Sequence, residues 1–147
     1  MATTSIRWAF ATELIALIAG AESMATVLVK TSRPGDTEIT DEMVYIVMPI
    51  TGTVALPVGV GGRKPRDDKF EVRLAVVASR PSIDEAMVRL EEIVADVCDL
   101  LAGDPSLGDF DGVLSAEVSA TSFGADTYAD GVWGAGEITV SVHSRLT

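Results

Sequence analysis

The sequence predicts an α+β domain: a single mostly antiparallel, mixed sheet of about four to five strands, with an N-terminal helix and one long helix packed on it, and extended hairpin loops. Three observations lead there. Most of the chain consists of β-branched segments separated by turn formers, two segments follow the helical period instead, and the order is helix, three strands, helix, two strands. A length of 147 residues fits a single domain over residues 1–147.

The two predicted helices each have one apolar face. The first covers residues 4–19, with Thr and Ser near its start as candidate N-caps and Gly20 as its end. The second, Ser82–Leu101, has Ser82 and Glu85 at the spacing of a capping box. Its apolar residues form one stripe, which we expect to face the sheet: Ile83, Met87, Leu90, Val94, Val97 and Leu101.

Five segments are predicted strands: Ala25–Thr31, Asp41–Leu56, Lys69–Ser79, Val113–Ser122 and Val132–Leu146. Pro49 and Gly52 predict an interruption in the second strand, at an edge position or a bulge, because proline cannot donate to a ladder. The nine residues FGADTYADG between the last two strands predict a long hairpin loop.

The glycine-rich stretch VGVGGRKPRDDKF, Val58–Phe70, does not match a phosphate-binding loop. Lys64 is followed by Pro65 instead of the Ser or Thr that reaches magnesium, and the glycines lack the dinucleotide spacing. A strand follows, so no helix N-terminus would face a phosphate. The stretch predicts a charged loop that joins two strands.

Composition excludes some functions. Asp and Glu total 22 against 11 for Lys and Arg, a formal charge of −11, which argues against a free-standing nucleic-acid binder. The lone Cys98 excludes an internal disulfide and lies within a helix pattern, as a buried structural thiol does. The apolar run near the N-terminus contains Glu13 and is shorter than the roughly 20 residues of a membrane span, so we expect no membrane partner.

No catalytic, cofactor-binding or metal-binding residues are expected, and no cofactor. His143 is the only histidine, and no signature links it to Ser141 or Cys98 as a nucleophile. Asp109 and Asp111 resemble part of a calcium loop that lacks its final Glu. The adjacent pairs Asp67–Asp68 and Glu91–Glu92 are interpreted as solvated charge.

Over roughly residues 40–146 the layout resembles the tail terminator proteins of long-tailed (siphovirus- or myovirus-type) bacteriophages. In that family an Asp-Pro-x-Leu-Gly turn follows the long helix, matched here by Asp104, Pro105, Leu107 and Gly108. A preceding F-x-V-x-L strand is matched by Phe70, Val72 and Leu74.

The resemblance implies a non-enzymatic structural protein: a homo-hexameric ring that caps the tail tube, stops its polymerisation and offers a docking surface to the head. The implied partners are other copies of the chain, the major tail tube protein and the head–tail connector protein, with phage DNA passing through the pore without specific binding. The implied location is the neck end of the virion tail, after assembly in the host cytoplasm. Under this hypothesis the glycine-rich loop is an assembly or pore loop with these candidate residues: Gly61, Gly62, Arg63, Lys64, Arg66, Asp67 and Asp68.

Two alternatives remain open at this point. Another head–tail connector or neck protein would share ring assembly but dock elsewhere. A small enzyme or ligand-binding α+β domain would instead carry a pocket under the long helix.

Overall fold

The computed structural model describes residues 6–35, 39–55, 66–108, 110, 112–128 and 131–146. Within these ranges the chain forms two α-helices, one 3₁₀ turn and one sheet of five strands. In chain order these are α1 (Arg7–Ala19), the 3₁₀ turn (Glu22–Met24), β1 (Leu28–Lys30), β2 (Glu42–Ala55), β3 (Arg66–Arg80), α2 (Ile83–Gly103), β4 (Val113–Tyr128) and β5 (Gly131–Leu146). The predicted α+β class is confirmed.

The strand order across the sheet is β1-β2-β3-β5-β4. β1 runs parallel to β2, and the other three pairs are antiparallel, so the sheet is mixed as predicted. After β3 the chain crosses through α2 to the far edge, where β4 forms, and then returns so that β5 lies between β4 and β3. β5 is therefore a central strand, paired from Val132 to Leu146 with β3.

Both helices cover the same face of the sheet. Even-numbered residues 68–78 of β3 and 138–144 of β5 point toward them and are buried, because successive side chains of a strand alternate between faces. This covered face and the helices share a core that is largely aliphatic, with Val44, Ile46, Leu74, Val76 and Ile138 each at most 2 % exposed. The opposite face, here called the open face, has no helix on it in the described ranges.

α1 begins after Ile6, whose side chain provides no cap, and the expected Thr and Ser caps at the start of residues 4–19 lie outside the described residues. The expected end at Gly20 is confirmed. The ring of Phe10, fully buried, meets Phe70 of β3 edge-on at 5.7 Å between centroids. Such a contact adds to the area that the two rings bury, and it anchors the helix on the sheet.

α2 begins as predicted, since the Ser82 hydroxyl accepts a hydrogen bond from the Glu85 N–H at 3.3 Å. From Leu90 onward the predicted stripe is buried, but Ile83 is 53 % exposed. Ala86 takes the sheet-facing position in the first turns: a Cβ added to Gly134 of β5 would lie 3.6 Å from the Cβ of Ala86. The helix approaches the sheet too closely there for a large side chain such as Ile83.

The turn after α2 is closed by its own side chain. The Asp104 carboxylate accepts a hydrogen bond from the Gly108 N–H at 2.7 Å. Leu107 and Gly108 both have positive φ, 51° and 68°, a conformation that suits glycine and is uncommon for leucine. Leu107 is 8 % exposed and belongs to the core, which offsets that backbone cost.

The predicted interruption of β2 is confirmed. Its register with β3 shifts between Val47 and Thr51, around the cis Met48–Pro49 peptide. β1 covers only Met43–Tyr45, so the bulge also lies on an edge. At Gly52 the strands come so close that a Cβ would lie 2.4 Å from the carbonyl oxygen of Lys69.

Three strand predictions need correction. β1 is shorter than Ala25–Thr31, because residues 25–27 form turns that follow the 3₁₀ turn, with the Val27 N–H donating to the Met24 carbonyl oxygen at 3.0 Å. β3 begins at Arg66 rather than Lys69, since its ladder with β5 already holds at Arg66 and its ladder with β2 at Asp67. The expected loop over residues 123–131 is mostly strand: pairing with β5 continues to Tyr128 opposite Gly131, so ladder formation outweighs local turn propensity.

Candidate assembly surface

The seven candidate residues of the glycine-rich loop fall into two groups. Gly61, Gly62, Arg63 and Lys64 lie outside the described residues. Arg66, Asp67 and Asp68 form the first residues of β3, where the connection from β2 joins the sheet. We call these three residues the β3 start, because they begin that strand.

Asp68 is fully buried, so its interpretation as solvated charge is wrong. Two hydrogen bonds from the Arg7 guanidinium reach its carboxylate, Nε to Oδ2 at 3.1 Å and Nη2 to Oδ1 at 2.6 Å. The hydroxyl of the buried Ser144 donates to its carbonyl oxygen at 3.3 Å. A bidentate arginine satisfies a buried carboxylate in charge and in geometry.

Arg7 is the partner that sequence reasoning missed. It lies 61 positions earlier, at the start of α1, and its guanidinium carbon is 5.8 Å from the centroid of the Phe70 ring. The hydrogen bonds with Asp68 raise the pKa of Arg7, whereas its partial burial lowers it. The alternation of β3, extended backward from Phe70, puts Asp68 on the covered face and was the available signal.

Asp67 points to the open face, where its neighbours on β5 are basic. The Arg145 Nε donates to its carboxylate at 2.9 Å, and the His143 Nε2 lies 3.5 Å away. The hydrogen bond from Arg145 is the largest influence and lowers the pKa of Asp67. Exposed ion pairs of this type contribute little to stability, so Asp67 remains available to a partner.

Next to this pair the open face has a shallow cleft of about 620 Å³. It crosses the strands between the bulge of β2 and the start of β4, and its polar lining includes Thr51, Thr53, Lys69, Glu71, Glu117 and Ser141. The Ser141 hydroxyl donates to the Ser119 hydroxyl at 2.7 Å. That bond joins Ser141 to another serine, and the His143 Nε2 has no hydrogen-bond partner among the described residues, so these residues show no serine bonded to that nitrogen as a nucleophile is to its base.

A second ionic cluster lies at the opposite end of the sheet. Glu42, 5 % exposed, accepts hydrogen bonds from the Thr26 hydroxyl at 2.6 Å, from Arg80 at 3.0 Å and from the Arg89 Nε. Burial raises the pKa of Glu42, but these three donors outweigh it and lower the pKa to about 2. The cluster joins β2, β3 and α2, so we assign it a structural role.

Cys98 is half-buried on α2, and its burial, followed by the charge of Asp99, raises the pKa of the thiol. A raised pKa disfavours the thiolate that nucleophilic chemistry needs. Among the described residues, no group of three or more His, Cys, Asp or Glu side chains is placed to hold a metal ion. Within the same ranges, neither helix has both the length and the apolar character that a membrane crossing requires.

The comparisons with known proteins give one kind of match. No family model matches the sequence, and no curated protein matches it. Among solved structures, the chain is similar to one from the virion of a native gene transfer agent (GTA) particle, with a TM-score of 0.64. The match covers 96 % of this chain and 99 % of that chain, at 11 % sequence identity. At that identity the likeness shows a shared fold, and fold alone does not assign function.

Proposed function

We propose that the protein is a structural component of a phage-like virion, and specifically a tail terminator that forms a hexameric ring on the tail tube. The observation that carries the proposal is the shared fold over 96 % of this chain and 99 % of a chain from a gene transfer agent virion. The resemblance of the Asp104–Gly108 turn and the β3 motif to terminators is an independent support from the sequence.

The chemistry of the described residues agrees with a structural role. The one histidine contacts Asp67 across an ion-pair distance instead of a nucleophile. The buried carboxylates of Asp68 and Glu42 each accept hydrogen bonds from arginine side chains of the same chain. A formal charge of −11 suits a conduit that DNA passes without being held, because like charges repel.

The β3 start attaches the proposed assembly loop to the sheet. Arg7 and Asp68 fix the start of β3 to α1, whereas Gly61, Gly62, Arg63 and Lys64 have the composition of an adaptable charged tip. We propose that this tip contacts the tube protein, the connector or a neighbouring subunit, and that Asp67 and Arg66 extend the charged surface onto the sheet.

The ring is tested by mass and by shape. The purified protein is examined by native mass spectrometry and by electron microscopy, alone and with the tail tube protein of the same particle. We expect a six-subunit ring with a central pore, and tubes whose growth stops when the protein is added. A monomer that leaves tube growth unchanged contradicts the proposal.

The alternative of a neck or connector protein is separated by its binding partner. A terminator binds the end of the tube, whereas a neck protein binds the head connector and leaves tube polymerisation unaffected. Co-sedimentation with assembled tubes, and separately with tail-free heads, distinguishes the two.

The loop is tested by charge. Reversing Arg63, Lys64 and Arg66 together to Glu should leave the fold intact and weaken docking, with a loss that salt diminishes because exposed charges are screened over about 8–10 Å. Arg33→Glu, at an exposed position, is the matched control. Normal tail length and normal head joining in the triple variant would remove the loop from the mechanism.

A further inference from the structure

The outer edge of β4 is unusually open to pairing. β4 has 16 residues, and within the described ranges no strand pairs with its outer side. Only Glu117 and Asp126 are charged, and Lys, Arg and Pro are absent from it. Monomeric proteins normally protect such an edge with short strands, Lys, Pro or bulges, because exposed backbone groups recruit another strand.

The bulges of β4 do not protect its second half. The register with β5 shifts between Val113 and Ser115 and between Val118 and Ala120, but from Ala120 to Tyr128 it is unbroken. In that regular stretch Thr121, Ser122, Phe123 and Gly124 are all exposed. A regular, nearly uncharged and exposed edge is a template for a further strand.

The direction of the backbone groups follows from the turn. Tyr128 pairs with Gly131 across two residues, so it closes a two-residue hairpin with a hydrogen-bonded pair. The Arg145 N–H, also at an odd-numbered position of β5, donates toward β4 at 2.8 Å. Because bonded and non-bonded pairs alternate, Ser122 and Gly124 bond to β5, whereas Thr121 and Phe123 direct their N–H and C=O groups outward.

The same chain carries a second free edge on the other side of the sheet. Beyond the three residues that β1 covers, Thr51–Ala55 of β2 pairs with β3 on one side and with no described strand on the other. This segment is also uncharged. β2 runs antiparallel to β3, β3 to β5 and β5 to β4. A second copy in the same orientation therefore presents β2 antiparallel to β4. The ladders place Thr51–Ala55 level with residues 113–117 of β4, so this copy must also be displaced along the strands to bring Thr51–Ala55 beside Thr121–Gly124.

We propose that β4 pairs with the Thr51–Ala55 edge of a second copy of this chain, so that the sheet continues from subunit to subunit. The contact is heterologous, since it joins two different edges, and such contacts form a closed ring when the rotation between neighbours closes. This inference rests on the proposed ring and specifies the surfaces that form it.

Proline at an outward-facing position tests the pairing. Thr121→Pro removes an outward N–H and leaves the ladder with β5 intact, as proline is tolerated on edge strands. Ala95→Lys, at an exposed position of α2, is the matched surface control. Self-association of the isolated proteins is measured by analytical ultracentrifugation over a concentration series, with melting temperature as the check on folding.

We expect Thr121→Pro to melt within a few degrees of the wild type and to weaken self-association at least tenfold, whereas Ala95→Lys leaves it unchanged. A folded Thr121→Pro variant that associates like the wild type overturns the inference while leaving a ring possible through other surfaces. A wild-type protein that stops at a two-fold dimer disrupted by Thr121→Pro would show β4 pairing with itself, which overturns the Thr51–Ala55 assignment and the ring together. A wild type that stays monomeric at millimolar concentration also overturns the inference.

To protect against misfolding as an explanation, a second variant changes charge without changing the backbone. Ser122→Lys and Gly124→Lys together place two cations on the open face of the edge, where a Cβ at Gly124 meets no atom within 4 Å. We expect the same loss of association as for Thr121→Pro. Unchanged association of this folded double variant contradicts edge pairing.

Discussion

On the covered face of β3, Val72, Leu74 and Val76 are fully buried. On the open face of the same strand, Glu71 is exposed and Arg73 is half-buried. Successive residues of the same strand therefore point to opposite faces of the sheet. The packing that stabilises the fold therefore lies on the covered face. Exposed side chains on the open face and at the edges should tolerate substitution with little change in the free energy of unfolding. Exposed faces and edges such as these are where an assembling protein forms its contacts.

The largest expected effect is in the core beneath α2. Leu90→Ala should lower the free energy of unfolding by about 2–5 kcal/mol, since Leu90 is fully buried between the helix and the sheet. Val88→Ala, two positions away and 56 % exposed, should change it by less than about 0.5 kcal/mol. Urea denaturation of the two variants measures the contrast, and equal losses would mean that the outer face of α2 is covered.

The buried ion pair should come next. Arg7→Ala leaves the carboxylate of Asp68 buried without its partner, which should cost about 3 kcal/mol in unfolding free energy. The control is Arg145→Ala on the open face, where water reaches its partner Asp67, so the loss should be much smaller than for Arg7→Ala. A small loss for Arg7→Ala would show that water reaches Asp68.

Protonation of Glu42 should lower the free energy of unfolding in acid. Its pKa in the folded chain is about 2, below the ordinary 4.5, so its contribution is complete above pH 4.5 and is lost as the pH falls toward 2. Glu42→Gln should lower stability at pH 7 by about 2 kcal/mol, because an amide bonds more weakly to two arginines. It should also flatten that part of the stability curve, which denaturation at a series of pH values measures; an unchanged acid limb would assign the transition to other carboxylates.

The smallest effects are expected on the open face. Lys69→Ala and Glu71→Ala should each change the unfolding free energy by less than about 0.5 kcal/mol, since both side chains are exposed. Thermal denaturation at low subunit concentration is the measurement. A loss above about 1 kcal/mol that appears only at high concentration would indicate that this face is buried between subunits.

The sequence was most informative where local signals and packing agree. The capping box of α2, the end of α1 at Gly20 and the bulge near Pro49 follow from the chemistry of a few adjacent residues, and the structure has all three. Ile83 was misplaced because hydrophobic periodicity cannot sense how closely a helix approaches Gly134. Residues 123–128 of β4 were predicted as loop for a related reason: their turn formers are overridden by the ladder with β5.

The candidate site was less predictable than the fold. Asp67 and Asp68 are adjacent and chemically identical, yet one pairs with Arg145 on the open face and the other with Arg7 beneath α1. Alternation could assign their faces, but the identity of Arg7 depends on a contact across 61 positions that only the folded chain supplies.

The central position of β5 has a consequence for synthesis of the protein on the ribosome. β5 is made after every other described element, yet it lies between β3 and β4 and pairs with both. Until residues 131–146 leave the exit tunnel, β3 has an unpaired side and β4 has no neighbour, so the sheet cannot be completed before β5 is made. A chain that ends before β5 can still pair β2 with β3, but it lacks the strand that holds β4 at the edge of the sheet.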